Sequence, residues 1–211
     1  MRYCFVFCHG FGFDKNFWNN LTPYFSEYSC LYLEDLEMHA LEDDMLLIGI
    51  GHSLGLIKLL SINIPFQAVI GLQGFINFLG FNHDLHLRRQ KDLAFLGSYF
   101  DKSSKYAIRY FHRLCGVPVQ SDALEDLNII KLKEDLEILS VGFMSIPSIP
   151  IFIIGSKDDK VVTPELIYDN FRSYNNVTIE IVNSSYHCLG YKNPELAYKK
   201  IMNFLVAKAI T

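Results

Sequence analysis

The chain has 211 residues, half of them hydrophobic and a fifth charged, with a net charge of −4. Length and composition describe one globular domain with a sizeable core and exclude a disordered chain. No apolar run reaches the ~20 residues of a membrane span, and five cysteines without framework spacing point to reduced thiols in a cytoplasmic protein rather than a disulfide scaffold.

The first apolar run, Tyr3–Cys8, is too short for a signal peptide and leads straight into His9-Gly10-Phe11-Gly12-Phe13, so it reads as a strand. A helical pattern follows over Phe17–Phe25, then a strand over Cys30–Leu33. The connection from Leu36 to Asp44 is short for a parallel crossover. With Glu34, Asp35, Glu37, Glu42, Asp43 and Asp44 in or beside it, it reads as a solvated loop or a stunted helix. Met45–Ile50 is a strand, Leu54–Leu60 a helix and Ala68–Leu72 a strand. Between Gly74 and Pro147 the alternation stops, and the segment is aromatic and helical in pattern, broken at Gly80, Gly97 and Gly116-Val117-Pro118. An insertion of that size after a sheet strand is expected to be a helical cap over the strand ends, at about residues 75–146. Ile151–Ile154 and Val177–Val182 are strands; Pro164–Tyr174 and Pro194–Ala207 are helices. Continuously apolar strands alternating with helices predict an α/β domain over 1–211, with a parallel sheet covered on both faces.

Gly51-His52-Ser53-Leu54-Gly55 lies between the strand at Met45 and the helix at Leu54. Strand, sharp turn at a serine, then helix is the context that Gly-x-Ser-x-Gly needs, with glycines where the backbones crowd. Taken alone, Ser53 is equally a helix N-cap. The rest of the chain favours a nucleophile, because the order serine, acid, histidine can be filled. His187 follows the last strand in Ser184-Ser185-Tyr186-His187-Cys188, where a histidine can reach over the sheet end. The acid follows Ile151-Phe152-Ile153-Ile154-Gly155-Ser156-Lys157, where Asp158 and Asp159 are adjacent candidates. The backbone N–H groups of Phe11 and Leu54 are the expected oxyanion donors. His9 and His52 read as structural. Neither H-x-x-x-H nor C-x-x-C occurs, and no dinucleotide or Walker pattern does, so neither a metal nor a cofactor is expected. A dehalogenase of this architecture would carry Asp where Ser53 stands.

These residues resemble the α/β-hydrolase superfamily along most of the chain, and within it most of all the pimeloyl-acyl-carrier-protein methyl ester carboxylesterases of biotin biosynthesis. The resemblance rests on His9-Gly10-Phe11-Gly12, Gly51-His52-Ser53-Leu54-Gly55, Leu136-Glu137-Ile138-Leu139, Pro150 through Asp159, and His187 followed by Pro194-Glu195. It implies an α/β-hydrolase fold with a compact, mostly parallel sheet of about six strands. It also implies a serine esterase that cleaves the methyl ester of an acyl chain held on an acyl carrier protein. Counting from Pro150 in the family's register, with Val161-Val162-Thr163-Pro164-Glu165 downstream, selects Asp159 as the acid; counting three residues from Gly155 selects Asp158. The chain departs from the family in lacking the hairpin that usually precedes the first strand and a normal crossover before Met45.

From Asn82 to Gly116 seven cations stand against three anions, a net +4, which leaves −8 on the remainder. Lys105, Arg109 and Arg113 share one helical face by i, i+4 spacing. That stripe is the expected docking face for an acidic carrier protein, and the acidic balance of the whole chain disfavours nucleic acid. Leu93, Phe95, Leu96, Phe100, Tyr106, Tyr110, Phe111 and Phe143 are read as cap core or as the wall of an acyl channel. The expected protein is a cytoplasmic monomer without a membrane anchor. A small-molecule carboxylesterase or thioesterase and a non-catalytic binding protein on the same fold are the competing readings.

Overall fold

The computed structural model describes residues 2–38, 45–118, 128–143 and 145–210. Six strands form its sheet: β1 (Arg2–Cys8), β2 (Ser29–Tyr32), β3 (Met45–His52), β4 (Phe66–Leu72), β5 (Ile151–Ser156) and β6 (Val177–Val182). Their order is β2-β1-β3-β4-β5-β6, and each neighbouring pair is parallel. The central strands are apolar on both faces because both faces are covered: Cys4 through Cys8 and all of β5 are buried.

The pleat assigns helices to the faces. Gly155 and Ile153 point to one side of β5. A Cβ on Gly155 would meet Ile167 of α5 (Pro164–Phe171), and one on Gly71 would meet both Ile153 and Leu56 of α1 (Gly55–Ser61). Phe152 points the other way and stacks on Phe204 of the C-terminal helix Pro194–Ala207 at 4.8 Å. On that second face Phe5 and Phe7 pack against Phe25 and Trp18.

Phe17 and Phe25 sit on two short 3₁₀ turns, Lys15–Trp18 and Thr22–Phe25, rather than on the single helix that the apolar spacing predicts. Asp14 starts the first turn by accepting the Asn16 N–H at 2.8 Å. Pro23 lacks an N–H and restricts the residue before it, so a helix does not run through. The acidic crossover begins as another 3₁₀ turn, Leu33–Met38; its remaining residues, 39–44, lie outside the described ones.

The segment between β4 and β5 carries α2 (His83–Lys102), α3 (Ser104–Cys115) and α4 (Ile129–Val141); residues 119–127 of the expected cap are outside the described ones. Asn82 caps α2 by accepting two backbone N–H groups, and Gly116, at φ +74, ends α3. An ion pair joins this cap to the sheet layer: Lys58 Nζ of α1 lies 2.6 Å from Asp135 Oδ1 of α4, with little of either side chain exposed. A buried pair gains little over an apolar one, whereas half of a pair is costly. Asp135→Ala is therefore expected to lower the unfolding free energy by about 3–5 kcal/mol, and Lys58→Met with Asp135→Leu to recover most of it, as read by urea unfolding. Equal losses in the single and double variants would contradict a buried-charge origin.

Candidate active site

Because the strands are all parallel, their carboxyl ends lie along one edge of the sheet. Five loops leave that edge together: His9 onward after β1, Ser53 after β3, Gln73 after β4, residues 157–163 after β5 and residues 183–188 after β6. A parallel sheet gathers chemistry there, at the strand ends flanking the reversal of strand order.

Ser53 sits at φ +53, a left-handed backbone that a non-glycine residue seldom adopts. The turn leaves no room beside it. A Cβ on Gly51 would stand 2.6 Å from the Leu56 nitrogen, and one on Gly55 would land on the Cys8 carbonyl. The Ser53 N–H is held by the Leu72 carbonyl at 3.0 Å, which ties the turn to β4.

His187 and Asp159 meet across two loops. His187 Nδ1–H donates to Asp159 Oδ2 at 2.8 Å, and both side chains are fully enclosed. The other oxygen, Oδ1, accepts the backbone N–H groups of Val161 at 2.7 Å and Val162 at 3.0 Å, so the carboxylate is fixed before it touches the imidazole. Asp158 is exposed, and its carboxylate accepts the Ser185 hydroxyl at 3.5 Å. A neutral imidazole that donates from Nδ1 keeps its lone pair on Nε2. His187 Nε2 is buried and has no hydrogen-bond partner among the described residues.

Of the two further histidines near the strand ends, His52 packs against this pair. His52 Nε2 faces the His187 carbonyl at 3.0 Å; a carbonyl only accepts, so that nitrogen carries the proton. The His52 and His187 rings are 4.9 Å apart, and His52 stacks on Phe17 at 4.3 Å. His9 turns away, with Nε2 3.4 Å from Glu34, whose carboxyl its hydrogen bond and the charge of Lys131 hold down to about 2. The glycine-rich loop abuts Ser53: a Cβ on Gly10 would stand 3.0 Å from the Ser53 Cβ. The backbone N–H groups of Phe11 and Leu54 have no acceptor among the described residues.

Gln73 and His112 have no motif in the sequence, and only the fold brings them to the site. Gln73, at φ +48, donates to Ser156 Oγ at 2.9 Å and accepts the Leu189 N–H at 3.4 Å, linking the ends of β4 and β5 to the turn after His187. Of the cap residues, Lys105, Arg109 and Arg113 are exposed on α3. Arg89 of α2 is buried, its guanidinium over the Phe78 ring, with a 3.3 Å hydrogen bond to Thr163. Phe95 and Tyr106 lie on the surface, about half exposed, and so wall no channel. Phe111 is the cap ring that reaches the site, 5.3 Å from Phe11 and 6.4 Å from His187. Among the described residues no group of three or more His, Cys, Asp or Glu side chains gathers as a metal would need, and no helix is long and apolar enough to cross a membrane.

No protein-family model matches the chain, and no curated protein matches it in sequence. Solved structures match it in fold. It is similar to a lipase-esterase related protein from Clostridium acetobutylicum, with a TM-score of 0.71 at 17% identity, covering 96% of this chain and 94% of that one. A hydrolase from Oleispira antarctica gives 0.73 at 19% identity, with 97% and 91% covered. An esterase from Exiguobacterium antarcticum gives 0.73 at 10% identity, with 96% and 91% covered. At such identities the likeness is one of fold, and the fold is that of the α/β-hydrolases.

Burial pushes the pKa of His52 down, and that of His112 likewise, so the folded protein keeps both rings neutral. The unfolded chain takes up those protons below about pH 6.5. The stability contributed by the two rings is therefore complete above that pH and is lost as pH falls from there toward their depressed folded values. Thermal melts between pH 7.5 and 5.5 should show a falling midpoint, and His112→Gln should flatten the fall. An unchanged pH dependence in that variant would contradict a buried neutral His112.

Proposed function

We propose that this protein is a serine carboxylesterase in which Ser53 is the nucleophile, His187 the base and Asp159 the acid. The observation that carries the reading is the enclosed His187–Asp159 hydrogen bond of 2.8 Å, which leaves Nε2 without a partner on a ring 4.9 Å from that of His52, the residue before the strained turn at Ser53. His187 Nε2 takes the Ser53 proton as Oγ attacks an ester carbonyl, and Asp159 stabilises the imidazolium that forms. The N–H groups of Phe11 and Leu54 hold the oxyanion. His187 returns the proton to the departing alcohol, and water then repeats the sequence on the acyl-enzyme. Ser53→Ala is expected to cost on the order of 10⁶ in kcat. Asp159→Asn should cost on the order of 10⁴, while Asp158→Asn stays near the parent. Reversed results for the two aspartates would move the acid by one residue.

The substrate we assign is the methyl ester of an acyl chain carried on acyl carrier protein, of the pimeloyl type used in biotin biosynthesis. Its support is the exposed trio Lys105, Arg109 and Arg113 on α3, the helix that also brings Phe111 to the site. Exposed cations steer an acidic partner without touching the ester. Replacing all three by Glu should raise KM for an acyl-carrier-protein ester and leave p-nitrophenyl acetate turnover within about twofold, because exposed charges act through a field that salt screens over about 8–10 Å. Equal losses on both substrates would assign the trio to cap structure. No loss on either would favour a small-molecule esterase or thioesterase. That second reading is supported by the enclosure of the site, where Ser53, Asp159 and His187 are 4%, 3% and 1% exposed.

A further inference from the structure

His112 belongs to the cap, yet its Nε2 is 2.7 Å from the carbonyl oxygen of Gly12, in the loop after β1. Since a carbonyl only accepts, Nε2 is the donor. The ring lies flat on Phe13, 4.7 Å between centroids and 14° between planes, and its Nδ1 is buried without a hydrogen-bond partner among the described residues. The side chain is thus committed to one polar contact.

That contact falls where the loop holds itself least. Gly10 through Phe13 form a tight turn whose own closing bond, from the Phe13 N–H to the Gly10 carbonyl, is long at 3.4 Å. Gly12 within it has φ +70, and a glycine is the residue about which a backbone swings most easily. Three residues of α3 close on the turn from the cap side. A Cβ on Gly12 would stand 3.0 Å from Ile108 Cδ1, Phe111 meets Phe11 edge-on, and His112 binds the Gly12 carbonyl. From the other side Gly10 is stopped by His52 and Ser53. The nucleophile fixes one end of the turn, and the cap helix fixes the other.

We infer that His112 is a positioning residue for the oxyanion hole: by holding the Gly12 carbonyl from α3 it sets the direction of the Phe11 N–H. This rests on the esterase reading, since it needs an oxyanion to be stabilised. It acts through Phe11 and touches no substrate. It also puts the cap and the hole on one rigid connection, because the helix that bears the exposed cations holds the turn.

The test uses the full chain and p-nitrophenyl acetate, with His112→Phe and His112→Gln. Phenylalanine keeps the ring against Phe13 and removes the donor; glutamine offers an N–H again. Displacing a donor by about 1 Å costs up to ~100-fold, and removing one outright costs more. His112→Phe should therefore lose about 10- to 100-fold in kcat with KM changed less than about threefold. It should bind a boronic acid, which forms a tetrahedral adduct on the serine, more weakly in the same proportion. His112→Gln should regain part of both. A His112→Phe enzyme within twofold of the parent in kcat overturns the inference while the esterase reading stands. So does a loss in both variants that tracks their thermal unfolding, or one that falls on KM alone. A parent chain that hydrolyses no ester overturns the esterase reading, and this inference with it.

Discussion

There is no space for a methyl group where Gly55 meets the Cys8 carbonyl or where Gly51 meets the start of α1. The rest of the site depends on that crowding. It lets β1, β3 and α1 approach closely enough to force the chain through the left-handed conformation at Ser53. The same approach brings Gly10 against Ser53, so the loop carrying the Phe11 N–H and the turn carrying the Leu54 N–H lie side by side. A larger residue at either glycine would separate the layers, and Ser53 and the N–H groups of Phe11 and Leu54 would part together.

Around that turn polar groups are buried, and the fold satisfies most of them one at a time. Asp159 is oriented by two backbone N–H groups before it receives His187. His52 holds the main chain of the loop from which His187 projects, and Gln73 holds the residue two places on. Each link is modest by itself, and hydrogen bonds in a low dielectric reinforce one another. The arrangement leaves His187 Nε2 without a hydrogen-bond partner among the described residues, on the ring whose Nδ1 is held by Asp159.

The sheet was readable in the sequence because a parallel sheet is covered on both faces, which makes its strands continuously apolar; β1 through β6 coincide with such runs to within two residues at every end. The two turns around Phe17 and Phe25 were not, because their apolar spacing also fits a helix and Pro23 was the sole hint otherwise. Ser53 and His187 stood out as residues by their position after strands. The neighbours Asp158 and Asp159 did not separate, since one backbone step turns a carboxylate from solvent to interior and composition is blind to that step. Gln73 and His112 had no signal at all. Their roles exist only through contacts with residues 83 to 116 positions away in the chain. Nor did the sequence single out Arg89, one charge within a basic stretch, whose burial against Phe78 and Thr163 only the fold reveals.

The central claim is that Ser53 is a nucleophile activated by His187, and covalent labelling reaches it without any choice of substrate. A fluorophosphonate reacts with an activated serine and stays attached, so peptide mapping by mass spectrometry identifies the residue. The account predicts one adduct per chain, on the peptide that contains Ser53, formed by the parent protein and not by a folded His187→Ala variant. A folded parent that takes no label, or takes it at another residue, would contradict it.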